Sequence, residues 1–412
     1  MGGRKFQFLT IFLTVFIDVL GFGIVIPVLP LYAEHYGASS LEIGLLVGIF
    51  SLMQFLFAPV WGRLSDRFGR KPILIVGTAG TVAGYLVMGF AGSVAVLFFA
   101  RLLAGVAGAN IGVAQAYLAD ISSPENRARA MGLIGAAFGL GFVFGPAVGG
   151  ITSSAFGYSA PMFLAAALGV VNFAFVILFL PESHKPGSVE KEGRKKTGVL
   201  EHIDTRMFGG TLVTYFTVIS GFSIMTTVFA LYLLHRFGLG VRDTGWILAG
   251  IGLLGAFVQG GLIGRLARRF GEMKLASTGA VVMMAGLGGL GLASSIPWML
   301  VFAAAVGLGN SLLMPSLSSM ASRAADPAWQ GRALGILQSA GSLARFLGPL
   351  TAGILLATET DGPLYGSRPL IFAAGVLATS CLVIALMIRG QAPRAGKSES
   401  ASPPPPGPEE LV

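Results

Sequence analysis

Asp18 lies about eleven residues into an apolar run that extends from Phe6 to about Leu31, the only acidic residue placed well inside such a run. If the run crosses a bilayer as a helix, a rise of 1.5 Å per residue puts the carboxyl group roughly 16 Å deep, near the middle. A charged carboxylate is costly there, so the neutral, proton-bearing form gains ground. That suits a group that takes up and releases a proton. The plainer alternative is a carboxyl group that only ties helices together by a hydrogen bond or ion pair. Two arginines, Arg101 and Arg345, also fall inside apolar runs. Arg345 could pair with Asp18, attract an anionic substrate or face a water-filled cavity, and the sequence leaves all three open. Gln54, Tyr85, Asn110, Asn172, Tyr215, Gln259, Asn310 and Gln338 could supply polar contacts to a substrate, although such groups more often satisfy the backbone or each other. Thirty phenylalanines suit an apolar, accommodating pocket.

Residues 62–72, Gly-Arg-Leu-Ser-Asp-Arg-Phe-Gly-Arg-Lys-Pro, form a dense polar knot between two apolar stretches. Some two hundred residues later, Gly264-Arg-Leu-Ala-Arg-Arg-Phe-Gly271 repeats its skeleton. Pro124-Glu-Asn-Arg-Ala-Arg-Ala-Met-Gly132 likewise aligns with Pro327-Ala-Trp-Gln-Gly-Arg-Ala-Leu-Gly335, and Gly145-Pro146 with Gly348-Pro349 at the same offset. The chain is therefore built twice, and a doubled membrane bundle with charged turns is the architecture of a transporter. Other chemistries lack their residues. The glycine-rich stretch 101–108 lies inside an apolar run and follows no strand, and no Walker-type lysine loop is present, so ATP is not the expected driver. His35, His184, His202 and His235 show no metal-ligand spacing, and the single cysteine, Cys381, allows no internal disulfide. No nucleophile–base triad stands out. The expectation is a protein that is not an enzyme and has no metal or cofactor, with a proton gradient as its energy source.

These residues need elements to hold them in place. Of the 412 residues 54% are hydrophobic and only 11% charged, where a soluble domain carries roughly a quarter charged residues. Sixty glycines suit close helix packing in lipid. Twelve spans are predicted, at about 7–31, 42–62, 73–91, 95–118, 131–151, 160–180, 208–233, 244–264, 275–293, 298–320, 333–357 and 369–389. The fold class is all-α: twelve transmembrane helices in two pseudo-symmetric six-helix bundles, 1–180 and 208–389. A charged cytoplasmic linker at 181–207 joins them, and a Pro-rich tail at 390–412 reads as disordered. The first span is too long for a signal-peptide core and is read as retained. Alternate loops divide the 28 Lys and Arg unevenly: one side has only Arg236, Arg242 and Arg368. The positive-inside rule then places both termini and the linker in the cytoplasm. The net charge of +9 resides in short turns, which argues for this topology and against a nucleic-acid partner.

The chain resembles the major facilitator superfamily over nearly its whole length, and within it the twelve-helix drug:proton antiporters of the tetracycline-exporter type. Four segments carry the likeness: Asp18-x-x-Gly21-x-Gly23-x-x-x-Pro27-x-x-Pro30; the signature turn with Gly62, Leu64, Asp66, Arg67, Gly69, Arg70 and Lys71; Arg101-x-x-x-Gly105-x-x-Gly108; and Gly132-x8-Gly141-x3-Gly145-Pro146-x2-Gly149-Gly150. Tyr117-Leu-Ala-Asp120 and Arg127-Ala-Arg129 are also similar to tetracycline exporters. The resemblance implies that the fourth helix lies near the first, so Arg101 would partner Asp18 in proton coupling. A static ion pair is the alternative. It implies that Asp66 meets the eleventh helix and locks one conformation, while Arg70 meets Asp120. Arg268 and Arg323 stand where Asp66 and Asp120 would, so the second gate is expected to be degenerate. It further implies that the glycine stripe of the fifth helix, kinked at Pro146, seals the outer side.

The expected function is export of small amphiphilic drugs or metabolites in exchange for protons, by alternating access, in the inner membrane of a bacterium. The partners are then a small molecule, protons and the lipid bilayer, and the protein works as a monomer. A proton-coupled uptake symporter or a uniporter for a small nutrient or metabolite, anions included, is the alternative, and a membrane receptor or scaffold is a third reading.

Overall fold

The computed structural model describes residues 2–108, 111–122, 127–183, 203–326, 329–359 and 364–391. Among the described residues twelve helical spans are long and apolar enough to cross a membrane, which fits a backbone that must satisfy its own hydrogen bonds in lipid. In chain order the helices are α1 (Gly2–Val25), α2 (Leu29–His35), α3 (Ser40–Phe68), α4 (Arg70–Gly89), α5 (Val94–Ala107), α6 (Ile111–Ile121), α7 (Arg127–Phe156) and α8 (Ala160–Phe179). They continue as α9 (Thr205–Phe237), α10 (Val241–Phe257), α11 (Ile263–Phe270), α12 (Glu272–Leu292), α13 (Ile296–Arg323), α14 (Gln330–Leu356) and α15 (Ser367–Gln391). A π-helical turn, Val258–Leu262, joins α10 to α11 within one span.

Local chemistry explains the boundaries. Ser39 and Glu42 form a reciprocal capping box at the start of α3. Asp204 accepts from the amides of Arg206 and Met207 and starts α9. The predicted first span (7–31) is cut short. α1 stops at Val25, a turn containing Pro27 follows, and α2 is a separate short helix. Gly69 and Gly271 sit between consecutive helices at φ +101° and +81°, a left-handed region that disfavours side chains, and both are the same glycine of the repeated knot. Of the predicted linker, residues 184–202 lie outside the described residues, as does the tail after Gln391.

α1, α3, α4, α5, α7 and α8 pack among themselves, as do α9, α10, α12, α13, α14 and α15, and the two groups meet along two seams, α3 with α14 and α7 with α10. Each seam is tight toward one membrane face. A Cβ on Gly44 would run into the Pro349 carbonyl and lie 3.0 Å from Gly353 Cα, and one on Gly150 would lie 2.7 Å from the Val241 carbonyl oxygen. The other face carries the turns around Gly69 and Gly271 and is called the basic face below. There Gly62, Gly135, Gly139, Gly260, Gly261, Gly264, Gly331 and Gly335 have open space in front of them. The halves are thus joined at the face opposite the basic one and parted at the basic face.

Candidate functional site

Asp18 lies on the buried stripe of α1 that also carries Ile11, Thr14 and Val15. Its carboxylate accepts one hydrogen bond, 3.1 Å from Asn172 Nδ2 on α8. The same amide lies 3.3 Å from the Thr14 carbonyl oxygen. Asn172 is fully buried and its Oδ1 has no donor. An asparagine can serve either state of such a carboxyl group, donating to the ionised form or, turned over, accepting from the acid. Tyr85 of α4 packs over the same place: a Cβ on Gly21, one turn beyond Asp18, would lie 2.9 Å from its hydroxyl.

Arg101 does not pair with Asp18. It is 3% exposed, donates from Nε to the Leu46 carbonyl at 3.3 Å and from Nη2 to the Val47 carbonyl at 3.1 Å, and lies 4.4 Å over the Phe50 ring. Depth along a helix does not fix direction around it, and this arginine turns toward α3.

The signature turn is a closed network. Arg70, 9% exposed, donates from Nη1 to Asp66 at 2.6 Å and to Ser65 Oγ at 2.7 Å, and from Nε to Asp120 at 3.1 Å. The expected Arg70–Asp120 contact is present. Asp66 behaves differently: its side chain is 57% exposed and no hydrogen bond or ion pair joins it to α14. With the basic face parted, the start of α14 is out of its reach. Arg67 is exposed beside Phe68, and the Lys71 ammonium donates to the Ile177 carbonyl at 2.8 Å.

Glu182, at the start of the predicted linker, is a site residue that no motif marks. Its carboxylate accepts from the amides of Arg70 at 2.8 Å and Lys71 at 3.1 Å, an anion on the N-terminus of α4. Ser183 Oγ donates to Asp120 at 3.1 Å, and the Tyr117 hydroxyl to the Pro181 carbonyl at 2.8 Å. No local pattern announces such contacts across sixty residues or more.

The expected degenerate second gate is also corrected. Glu272 stands where Arg70 does, directly after the turn glycine, and pairs with Arg323 at 3.0 Å. Ser319 Oγ adds a bond to Glu272 at 2.6 Å. The second copy keeps the ion pair with its signs exchanged. Aligning Gly69-Arg70 with Gly271-Glu272 and Asp120 with Arg323 would have exposed this compensation.

Gly141, Gly145, Gly149 and Gly150 along α7 are crowded by backbone, with Pro146 among them. A Cβ on Gly145 would lie 2.7 Å from Gly23 Cα, and one on Gly149 would strike the Ile24 carbonyl. These glycines seat α1, whereas Gly150 and the Pro146 carbonyl meet α10 across the seam. Near this closed end, Glu34 Oε1 and His235 Nε2 lie 2.8 Å apart and bridge the halves, another contact that no motif signals.

Of the weaker candidates, Gln54 donates to the Gly108 carbonyl at 2.9 Å, which satisfies the backbone where α5 ends. Asn110 lies outside the described residues. Gln259 is exposed in the π turn, Gln338 is exposed on α14, and Asn310 is half-buried on α13. Tyr215 is 4% exposed and stands beside Arg345, whose Nη2 donates to Ser342 Oγ at 3.1 Å.

The sequence profile of the Major Facilitator Superfamily matches residues 11–349 and 211–410. The class B tetracycline resistance protein of Escherichia coli is 31% identical over 353 residues, covering 82% of this chain and 86% of that protein. Multidrug resistance protein 1 of Bacillus subtilis is 32% identical over 391 residues, covering 93% and 96%. Among solved structures, a bacterial homologue of the human lysosomal transporter Spinster, described as inward-facing and unoccupied, superposes with a TM-score of 0.79 at 16% identity, covering 94% of this chain and 98% of that one. Two parted helix bundles, the knot at 62–71 and these relatives together assign the chain: it belongs to the major facilitator superfamily of multi-pass membrane transporters, close to members that confer resistance to tetracycline and other drugs.

Proposed function

We propose that the protein exports small amphiphilic compounds, drugs among them, in exchange for protons from the cytoplasm of a bacterium. The basic face is then cytoplasmic, by the distribution of Lys and Arg, with both termini on that side of the inner membrane. On this reading the structure corresponds to the state open to the cytoplasm. The observation that carries the proposal is Asp18: a largely buried carboxyl group, deep in α1, whose one hydrogen-bond partner is the uncharged Asn172. With no cation pinning it as a carboxylate, it is free to change protonation as its surroundings change.

Protons from the outer side bind Asp18 when the halves tilt the other way, and the neutral carrier returns and releases them inside. Asp66, now exposed, meets the start of α14 when the basic face closes, and the glycine seams part at the other face. Transport needs the small molecule, protons and the bilayer, and one polypeptide contains all the parts named.

Asp18→Asn is the test. Everted vesicles given tetracycline or ethidium in the outer medium as probes, with a pH gradient imposed in either direction, should show gradient-driven accumulation in the lumen by the unaltered protein and none by the variant, with membrane insertion unchanged. Coupled export by Asp18→Asn would refute the carboxyl group as proton carrier. Export driven only by the opposite gradient would favour a symporter.

A further inference from the structure

Arg345 is a deeply placed cation without a counter-ion among the described residues. It lies fifteen residues along α14, about 22 Å from the basic end at 1.5 Å per residue, well below any headgroup layer. No described carboxylate pairs with it. Its contacts are Ser342 Oγ at 3.1 Å and the Tyr215 hydroxyl beside it, both neutral. A guanidinium has five N–H donors, so most of this one's capacity is unused. Arg101 shows what a satisfied intramembrane arginine looks like here, bonded to two carbonyls and laid on a ring.

Its direction is set by its neighbours on α14. Phe346, Pro349 and Gly353 meet Gly44 and Gly48 of α3, while Gly341 and Gly348 meet Tyr215 and Ser220 of α9. At 100° per residue, position 345 falls between these two directions, facing the gap where α9 and the other half converge. The basic-side approach along α14 is open at Gly331 and Gly335. In the repeat, Arg345 precedes Gly348-Pro349 as Phe142 precedes Gly145-Pro146, so the matching place in the other half holds an aromatic ring. Phe142 lies edge-on to Phe22 with ring centroids 6.1 Å apart, and Phe22 stacks on Phe50 at 5.3 Å.

We propose that Arg345 and Tyr215 form a subsite for the acidic group of an amphiphilic organic anion, a carboxylate, sulfonate or enolate, whose apolar body rests against the Phe142–Phe22 side. This deepens the export reading and rests on it for the direction of transport alone. A planar guanidinium forks onto such groups, and Arg345 is only partly exposed on α14. A neutral analogue of the same shape leaves the guanidinium unpaired and binds more weakly.

The test uses purified full-length protein in detergent at fixed pH, with no gradient, and two matched probes, anthracene-9-carboxylate and anthracene-9-carboxamide. Half-saturation is read from the thermal unfolding midpoint. The carboxylate should half-saturate at a concentration at least about tenfold below the amide's. Arg345→Gln should erase that preference while leaving the amide's own half-saturation in place, and Arg345→Lys should keep part of it. Equal half-saturation by both probes, no binding of the carboxylate, or an undiminished preference in Arg345→Gln would each overturn the subsite. Should Arg345→Gln fail to fold, the probe ratio in the unaltered protein and in Arg345→Lys still decides. The readout needs no proton coupling: if Asp18→Asn still exports but the preference stands, the coupling proposal alone fails, and the reverse outcome fails the subsite alone.

Discussion

The N-terminal and C-terminal halves share a plan and differ in the sign of their charges. Near mid-membrane the first half holds a carboxyl group, Asp18, and the second a guanidinium, Arg345, neither with an ionic partner. At the basic face the first half joins Arg70 to Asp120 and the second joins Glu272 to Arg323. The pairing is retained while the polarity is exchanged. What the fold requires at the turn is a bond between the start of one helix and the end of another, and either order of charges supplies it. What we propose for transport is different in the two halves, a proton site in one and an anion site in the other.

The seams offer the severest way to break this comparison. Gly150 on α7 and Gly353 on α14 stand at corresponding contacts, each against the backbone of the opposite half. Gly150→Leu and Gly353→Leu should each cut export at least about tenfold, because backbone cannot yield to a side chain as a flexible neighbour does. In a Cys381→Ser background, maleimide labelling of a Ser40→Cys reporter should rise in both. A large loss in one and none in the other would show that only one seam closes the carrier.

The knots come next. Arg70→Ala removes a 9% exposed group with three side-chain partners and should lower unfolding stability by about 2–3 kcal/mol. Glu272→Ala should cost less, about 1 kcal/mol, since its partner Arg323 is 70% exposed and screened by solvent. The double change Glu272→Arg with Arg323→Asp rebuilds the first half's polarity in the second and should stay within about 1 kcal/mol of the parent. Chemical unfolding in detergent measures all three, and a double variant as damaged as the single one would mean the sign itself matters. The smallest effect belongs to Glu34→Gln, which breaks the bridge between halves that Glu34 and His235, two half-exposed ionisable groups, make. The stabilisation of the closed end should fall by no more than about 1 kcal/mol, seen as a modest rise in the same maleimide labelling.

The spans were legible because lipid leaves little choice: a run of about twenty apolar residues must form a helix that bonds to itself. The knot and its repeat were legible as motif. The partners of deep charges were not. Depth follows from counting residues along a helix, but the direction a side chain takes depends on which helix lies beside it, and so Arg101 was assigned to Asp18 when it turns to the carbonyls of Leu46 and Val47. Asn172 was visible only as one polar residue among eight, since its meeting with Asp18 joins positions 154 residues apart. The break after Val25 could have been read from Pro27 and Pro30, which the resemblance treated as part of a motif inside a continuous span.

The connection between the halves is fastened where it leaves one and where it enters the other. At its start Glu182 holds the first amides of α4 and Ser183 holds Asp120, and at its end Ile203 bridges Ala325 while the Asp204 amide donates to the Ala324 carbonyl at 2.7 Å. A shift of either described end is therefore felt at the ion pair of its own turn, Arg70–Asp120 at one and Glu272–Arg323 at the other.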